Sequence, residues 1–219
     1  MYGVVFIASS STDDVSSDEL DEATHRLTES EQQRASNIRL DRPRHAFVLG
    51  RLLVRSTVAR IADVAPDEVV IELEASGRPV LTGALREYFV SIAHSGRRVV
   101  VGVAKRDIGV DVEQLRQAAP SPQLMARVCS PDELRLLEAM TDADRAAVFT
   151  TVWARKEAYG KAIGRGLDFP LRSVTVGVGG STISGPGDWR VVDVDVDRGC
   201  AAAVVAQGPD WRVQVLTGH

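Results

Sequence analysis

The sequence predicts an α+β fold, and three observations predict it. Helical periodicity is concentrated in two long segments, one in each half of the chain. In each half the helical segments precede strand-like runs rather than alternating with them one by one. No solenoid repeat and no Gly-rich phosphate loop of the Walker or dinucleotide type breaks this pattern.

Taken in order, residues 2–8 (YGVVFIA) read as a β-rich run followed by a Ser-rich turn, and residues 18–36 as one polar, weakly amphipathic helix. From 44 to 64, Phe47, Val48, Leu52, Val54, Val58 and Ile61 follow helical spacing and mark the longest helix of the first half. Arg44, Arg51 and Arg55 stand seven and four residues apart and share a face of it. That face suits a multiply charged phosphate, and it equally suits a solvated basic edge. After Pro66, residues 69–73 are a strand candidate, and Ser76-Gly77-Arg78-Pro79-Val80-Leu81 is a turn that exposes Arg78. Residues 88–93 and 98–104 are strong strand signals joined by His94-Ser95-Gly96-Arg97, which leaves His94 at a strand end. A histidine there is either structural or one of the polar site residues that α/β-type proteins place at strand ends.

The connection at 105–108 divides the chain into residues 1–106 and 107–219. The second part opens with an acidic strand, Gly109-Val110-Asp111-Val112-Glu113. Ser130-Pro131-Asp132-Glu133 then carries a helix start: Ser as N-cap, Pro at the first helical position and Glu three residues after the cap. Residues 144–163 form the long helix of this half and end at Gly164-Arg165-Gly166. Four strand candidates follow, 173–178, 190–196, 201–206 and 211–216, and predict an antiparallel sheet.

Composition narrows the function. With 219 residues and 44% hydrophobic content the chain can bury a proper core, as one large domain or two lobes. A net charge of -4 argues against a general nucleic-acid surface, so any anion site must be local. No run approaches the roughly 18 apolar residues of a membrane span, and the first residues lack the pattern of a secretory signal, which predicts a cytoplasmic protein. Cys129 and Cys200 have neither metal spacing nor a disulfide framework, as expected in a reducing compartment. Among 26 basic residues only Lys105, Lys156 and Lys161 are lysines, and two of those fall in the second long helix.

Two stretches carry the chemistry. On a strand, Asp111 and Glu113 point the same way and can share one cation. On a helix, Trp153, Glu157 and Lys161 form one stripe. Together they suit a hard cation such as Mg²⁺, held by a few carboxylates with its other positions open to water and phosphate, beside a lysine that faces phosphate oxygens. Taken singly, a D-x-E strand also fits a solvated face, and an E-x-x-x-K pair fits a surface ion pair of about 0.2–0.5 kcal/mol.

These pieces resemble the 4′-phosphopantetheinyl transferases of the Sfp type over roughly residues 18–178. The signature elements are GVDVE at 109–113 and WARKEAYGKAIGRGL at 153–167; RHAFVLGRLLVR at 44–55, SGRPVL at 76–81 and SIAHSG at 91–96 support them in the family's order. The resemblance implies two similar lobes related by a pseudo-twofold axis, each a small, mainly antiparallel sheet packed with helices, with coenzyme A in the cleft between them. It implies transfer of the phosphopantetheine arm of coenzyme A to a serine of an acyl or peptidyl carrier protein from fatty acid, polyketide or nonribosomal peptide synthesis, with release of adenosine 3′,5′-bisphosphate. Residues 1–106 would form the side holding the adenosine and its 3′-phosphate, and residues 107–219 the metal and catalytic side. By matched position Asp111, Glu113 and Glu157 would ligate Mg²⁺. Glu157 would be the base, with a water on the cation as the alternative, and Lys161 would touch the phosphates. Arg44, Arg51, Arg78, His94 and Lys161 would bind coenzyme A. Two departures stand out: Ala93 replaces the serine many members carry before the histidine, and Gln33 and Arg34 stand where some have lysines. Leu115, Leu124 and Met125 are candidates for meeting the carrier. The length, well beyond that of the short trimeric holo-acyl-carrier-protein synthases, predicts a monomer. A non-catalytic protein that binds coenzyme A or a carrier, and a Mg²⁺-dependent pyrophosphate hydrolase, are the competing readings.

Overall fold

In a computed structural model describing residues 3–166, 169–178, 180 and 182–217, the chain is α+β, with helices packed on two sheets. Tyr2, at the head of the first strand run, and Leu167, at the end of the second motif, lie outside the described residues.

The first sheet centres on β1 (Val4–Ser11), β5 (Arg98–Ala104) and β4 (Phe89–Ser95), with β5 antiparallel to both neighbours. Short β2 (Ile71–Leu73) and β3 (Pro79–Leu81) extend it beyond β4. Helix α3 (Asp41–Ala62) lies across this sheet, burying Val48, Leu49, Leu53, Val54 and Val58. The single helix expected over 18–36 is two, α1 (Ser17–His25) and α2 (Glu29–Ser36). Thr28 and Glu31 form a reciprocal capping box that starts a new helix, and the intervening turn buries Leu27 in the core.

The second sheet is β6 (Ile108–Gln114), β8 (Cys200–Gln207) and β7 (Trp189–Asp193), antiparallel throughout. Helix α6 (Asp142–Ala162) covers it, flanked by α4 (Pro122–Val128) and α5 (Pro131–Glu138). The cap at Ser130 forms as its sequence predicts, with the Glu133 carboxylate returning to the Ser130 amide at 2.8 Å. The two halves follow one recipe: strand, long helix, hairpin. The spatial order β4-β5-β1 in the first recurs as β7-β8-β6 in the second. Between the sheets, Val5, Ile7, Val100, Ile108, Val110 and Val204 form a shared apolar layer.

Two strand expectations fail in the tail. Residues 173–178 make no named strand; Thr175 forms one isolated bridge with Ser184 while Val174 and Val176 bury under α6. Their alternation reflects burial against a helix, not pairing in a sheet. The last strand, β9 (Arg212–Leu216), leaves the second half and runs parallel to β1 at the edge of the first sheet. Trp211 and Val213, packed in the layer between the sheets, hold it there.

Candidate active site

The site is built where α6 crosses β6. Along β6, Ile108, Val110 and Val112 bury between the sheets, so strand alternation turns Gly109, Asp111 and Glu113 toward α6. Gly109 lets the helix come close: a Cβ there would stand 2.0 Å from the Ala158 carbonyl oxygen and 2.5 Å from the Ala162 nitrogen. With helix backbone directly on strand backbone, the stripe carrying Glu157 and Lys161 meets the acids of β6.

Lys161 Nζ donates to Asp111 Oδ1 at 2.8 Å, to the Val110 carbonyl at 3.1 Å and to the Ile92 carbonyl at 3.4 Å, so it spans both halves. Asp111 is 6% exposed, and its Oδ2 is buried with no hydrogen-bond partner. Burial pushes its carboxyl above the usual range, against the pull of Lys161. Burial and then the charge of Asp111 likewise raise Glu113, and burial followed by Asp111 raises Glu157. Glu113 and Glu157 thus each feel the charge of Asp111, and Lys161 offsets burial on all three acids. His94 is exposed near the end of β4; surrounding protein and then Lys161 hold its imidazole below the ordinary value while Asp111 pulls it up.

Sequence reasoning missed the part that β4 plays. Ser91 Oγ accepts from the Val110 amide at 3.0 Å and Ser95 Oγ from the Gln114 amide at 3.2 Å, so two hydroxyls stand in for ladder carbonyls along β6. Ser95 also donates to Glu113 Oε2 at 3.0 Å. The four-residue spacing of the serines, matched to that of the two amides, was the available signal.

Two further charged groups of the second motif, Lys156 and Arg155, are structural. Lys156 is fully buried, paired with Glu133 at 2.7 Å, and donates to the Leu171 and Val174 carbonyls. Arg155 grips Asp193 with Nε at 2.7 Å and Nη2 at 2.6 Å, and its Nη1 donates to the carbonyls of Val176, Gly177 and Gly180.

Beside the acids a cleft of ≈ 780 Å³ opens between the halves. Arg78, Pro79 and Ser91 line one side, and Lys161, Gly164 and Arg165 the other. Arg78 and Lys161 therefore share one cavity. Arg44 and Arg51 do not line it: Arg44 pairs with Asp41 at 2.7 Å, and Arg51 is 5% exposed, against Glu31 at 3.6 Å and the Phe47 ring at 5.1 Å. Arg55 shares Glu31 at 2.8 Å. The arginine stripe of α3 is thus largely an internal ion cluster. Of the apolar candidates for meeting a carrier, Leu115 is exposed, Leu124 half-buried and Met125 part of the core.

Among the described residues, no group of three His, Cys, Asp or Glu stands close enough to hold a metal ion. As the side chains stand, Asp111 faces Lys161 and Glu113 faces Ser95. The donor chemistry nevertheless fits a hard cation: oxygen ligands only, Glu113 and Glu157 raised by burial and then by the charge of Asp111, and an orphaned buried oxygen on Asp111.

Fold and site together define a two-lobed α+β protein with an acid cluster and a cation-lined cleft at the seam of its lobes. A family model described as 4′-phosphopantetheinyl transferase, N-terminal, matches residues 14–106, and one described as 4′-phosphopantetheinyl transferase superfamily matches residues 107–205. The 4′-phosphopantetheinyl transferase HetI of Nostoc sp. is 29% identical over 195 residues, 85% of this chain and 81% of its own. The 4′-phosphopantetheinyl transferase Sfp of Bacillus subtilis is 29% identical over 173 residues, 76% of each chain. The L-aminoadipate-semialdehyde dehydrogenase-phosphopantetheinyl transferase of Xenopus laevis is 30% identical over 155 residues, 66% of this chain and 51% of its own. The chain belongs to the 4′-phosphopantetheinyl transferase superfamily, of the Sfp type, and is an enzyme of that kind.

Proposed function

We propose that this enzyme moves the 4′-phosphopantetheine arm of coenzyme A onto a serine of an acyl or peptidyl carrier protein and releases adenosine 3′,5′-bisphosphate. The observation that carries the reading is the junction of α6 with β6, where Lys161, which lines the cleft, bonds to Asp111, and where Glu113 and Glu157 feel the charge of Asp111. Residues 1–106 supply the adenosine side of that cleft through Arg78, with His94 exposed on β4 outside its lining, and residues 107–219 the reactive side. The enzyme works as a cytoplasmic monomer, its two lobes doing what separate subunits would otherwise do.

In the transfer the carrier serine oxygen bonds to the pantetheine-bearing phosphorus of the pyrophosphate, and the bond from that phosphorus to the bridging oxygen breaks. The serine proton needs an acceptor. Glu157 can take it, because burial and its acidic neighbours make it more basic than an ordinary carboxylate. Lys161, bonded to Asp111, is there to donate to phosphate oxygens and offset charge on the departing bisphosphate. Asp111, Glu113 and Glu157 would hold Mg²⁺, which supplies charge neutralisation for the pyrophosphate when bound. The cleft is of the size that holds cofactor-like ligands.

Release of adenosine 3′,5′-bisphosphate from coenzyme A, followed by chromatography, tests the reading. Release that needs both Mg²⁺ and an apo carrier protein supports it. Release without a carrier would make the protein a hydrolase, and no release with any carrier would leave coenzyme A binding alone.

A further inference from the structure

Strands β4 and β6 belong to different sheets, yet they lie against each other along the seam, joined through serine hydroxyls with no ladder pairing between them among the described residues. The two serines differ in what they hold. Ser91 Oγ accepts from the Val110 amide and bonds to no carboxylate among the described residues. Ser95 Oγ accepts from the Gln114 amide at 3.2 Å and donates to Glu113 Oε2 at 3.0 Å. A hydroxyl has a single proton to give, and here a carboxylate takes it.

Ser95 is itself placed by groups other than Glu113. It stands opposite Arg98 across the β4–β5 hairpin, and Arg98 Nη2 donates to Asp197 Oδ2 of the second half at 2.8 Å. Gly96, next in the turn with φ of 56°, seats so closely on Gln114 that a Cβ there would stand 2.2 Å from Gln114 Nε2. The hairpin tip is thus docked on the second half through Arg98 and Gly96, and the hydroxyl between them meets Glu113 in a set position. That bond occupies Oε2, while Oε1 of Glu113 takes no hydrogen bond among the described residues and is left open to a cation.

We propose that Ser95 is a positioning residue of this enzyme: supplied by the first half, it fixes the Glu113 carboxylate of the second half with one oxygen free for the divalent cation, and so sets the affinity for that cation. The assignment rests on the reading of Glu113 as a cation ligand given above. A carboxylate oriented in advance loses less side-chain freedom on binding, and groups that orient metal ligands in this way are worth about 10- to 100-fold in metal affinity.

Mn²⁺ binding at saturating coenzyme A, followed by the paramagnetic resonance signal of the free ion, tests this in wild type, S95A, S95T and S91A. S95A should bind Mn²⁺ about ten-fold more weakly, S95T, which keeps the hydroxyl, should recover most of that loss, and S91A, which removes a seam hydroxyl that holds no acid, should bind as wild type does. In carrier transfer the Mg²⁺ concentration giving half the maximal rate should rise by the same factor in S95A, with kcat at saturating Mg²⁺ kept. Equal weakening in S91A and S95A would reduce both serines to seam bonds and overturn the positioning role. So would wild-type affinity in S95A, no recovery in S95T, or no Mn²⁺ binding by wild type. If wild type binds Mn²⁺ and S95A loses affinity while no carrier is modified, the proposed function fails and the positioning role stands; carrier transfer with unaltered Mn²⁺ affinity in S95A gives the reverse. A melting transition as cooperative as that of wild type shows that S95A is folded.

Discussion

The long helices of the two halves make the instructive comparison. Each lies on a three-strand unit of the same order, and each carries charged residues at helical spacing. On α3 the cations are engaged internally: Arg51 and Arg55 converge on Glu31, buried and away from the cleft. On α6 the charges divide. Lys156 and Arg155 are engaged by Glu133 and Asp193, while Lys161 bonds to Asp111 and lines the cavity and Glu157 feels the charge of Asp111. What separates the halves is the partner strand: β6 offers Gly109 for close approach and two acids on the face the helix meets, and β1 offers neither.

The comparison breaks hardest at the acids. Asp111→Ala or Glu157→Ala should lower carrier transfer by at least about 10²-fold, whereas Arg51→Ala should act through stability instead. Gly109→Ala comes next. Its methyl group cannot fit beneath Ala158, so α6 must lift, costing about 1–3 kcal/mol in urea unfolding and more activity than that loss of folded protein explains. Lys156→Ala should cost about 3–5 kcal/mol, since it strands Glu133 in the core, while the folded fraction keeps its KM for coenzyme A.

Smaller effects sharpen the electrostatics. Asp111, Glu113 and Glu157 are all raised above ordinary values of 3.8 and 4.5. The folded protein then holds protons that the unfolded chain has already released, so these groups make stability fall as pH rises through the interval between the two values. Melting temperatures across pH 4 to 7 (roughly the span around ordinary carboxyl values) should show that decline, and Glu157→Gln should lessen it. Asp197 has the opposite sign: hydrogen bonds from Arg98 and the Gly199 amide lower it to about 2, so its contribution is present above 3.8 and is lost as pH falls toward about 2. Asp197→Asn should remove only that acid-side slope.

Much of this was legible in the sequence because it is local. Strand alternation placed Asp111 with Glu113, helix periodicity placed Glu157 with Lys161, and the Ser130 cap formed where its pattern predicted. The meeting of the two stripes was legible only through the resemblance, since no spacing rule says which helix lies on which strand. The arginines of α3 misled because a shared helix face does not reveal whether it looks into a cleft or onto a buried acid such as Glu31, supplied by another helix. The return of β9 to β1 was hidden for the same reason: parallel pairing between chain ends leaves no local trace.

The most direct measurement is the mass of an apo carrier protein after incubation with the enzyme, coenzyme A and Mg²⁺. A gain of one phosphopantetheine arm on the carrier serine, lost with Asp111→Ala and with removal of the cation, is the expected result. A carrier of unchanged mass across a panel from fatty acid, polyketide and peptide synthesis, or an undiminished gain with Asp111→Ala, would contradict it.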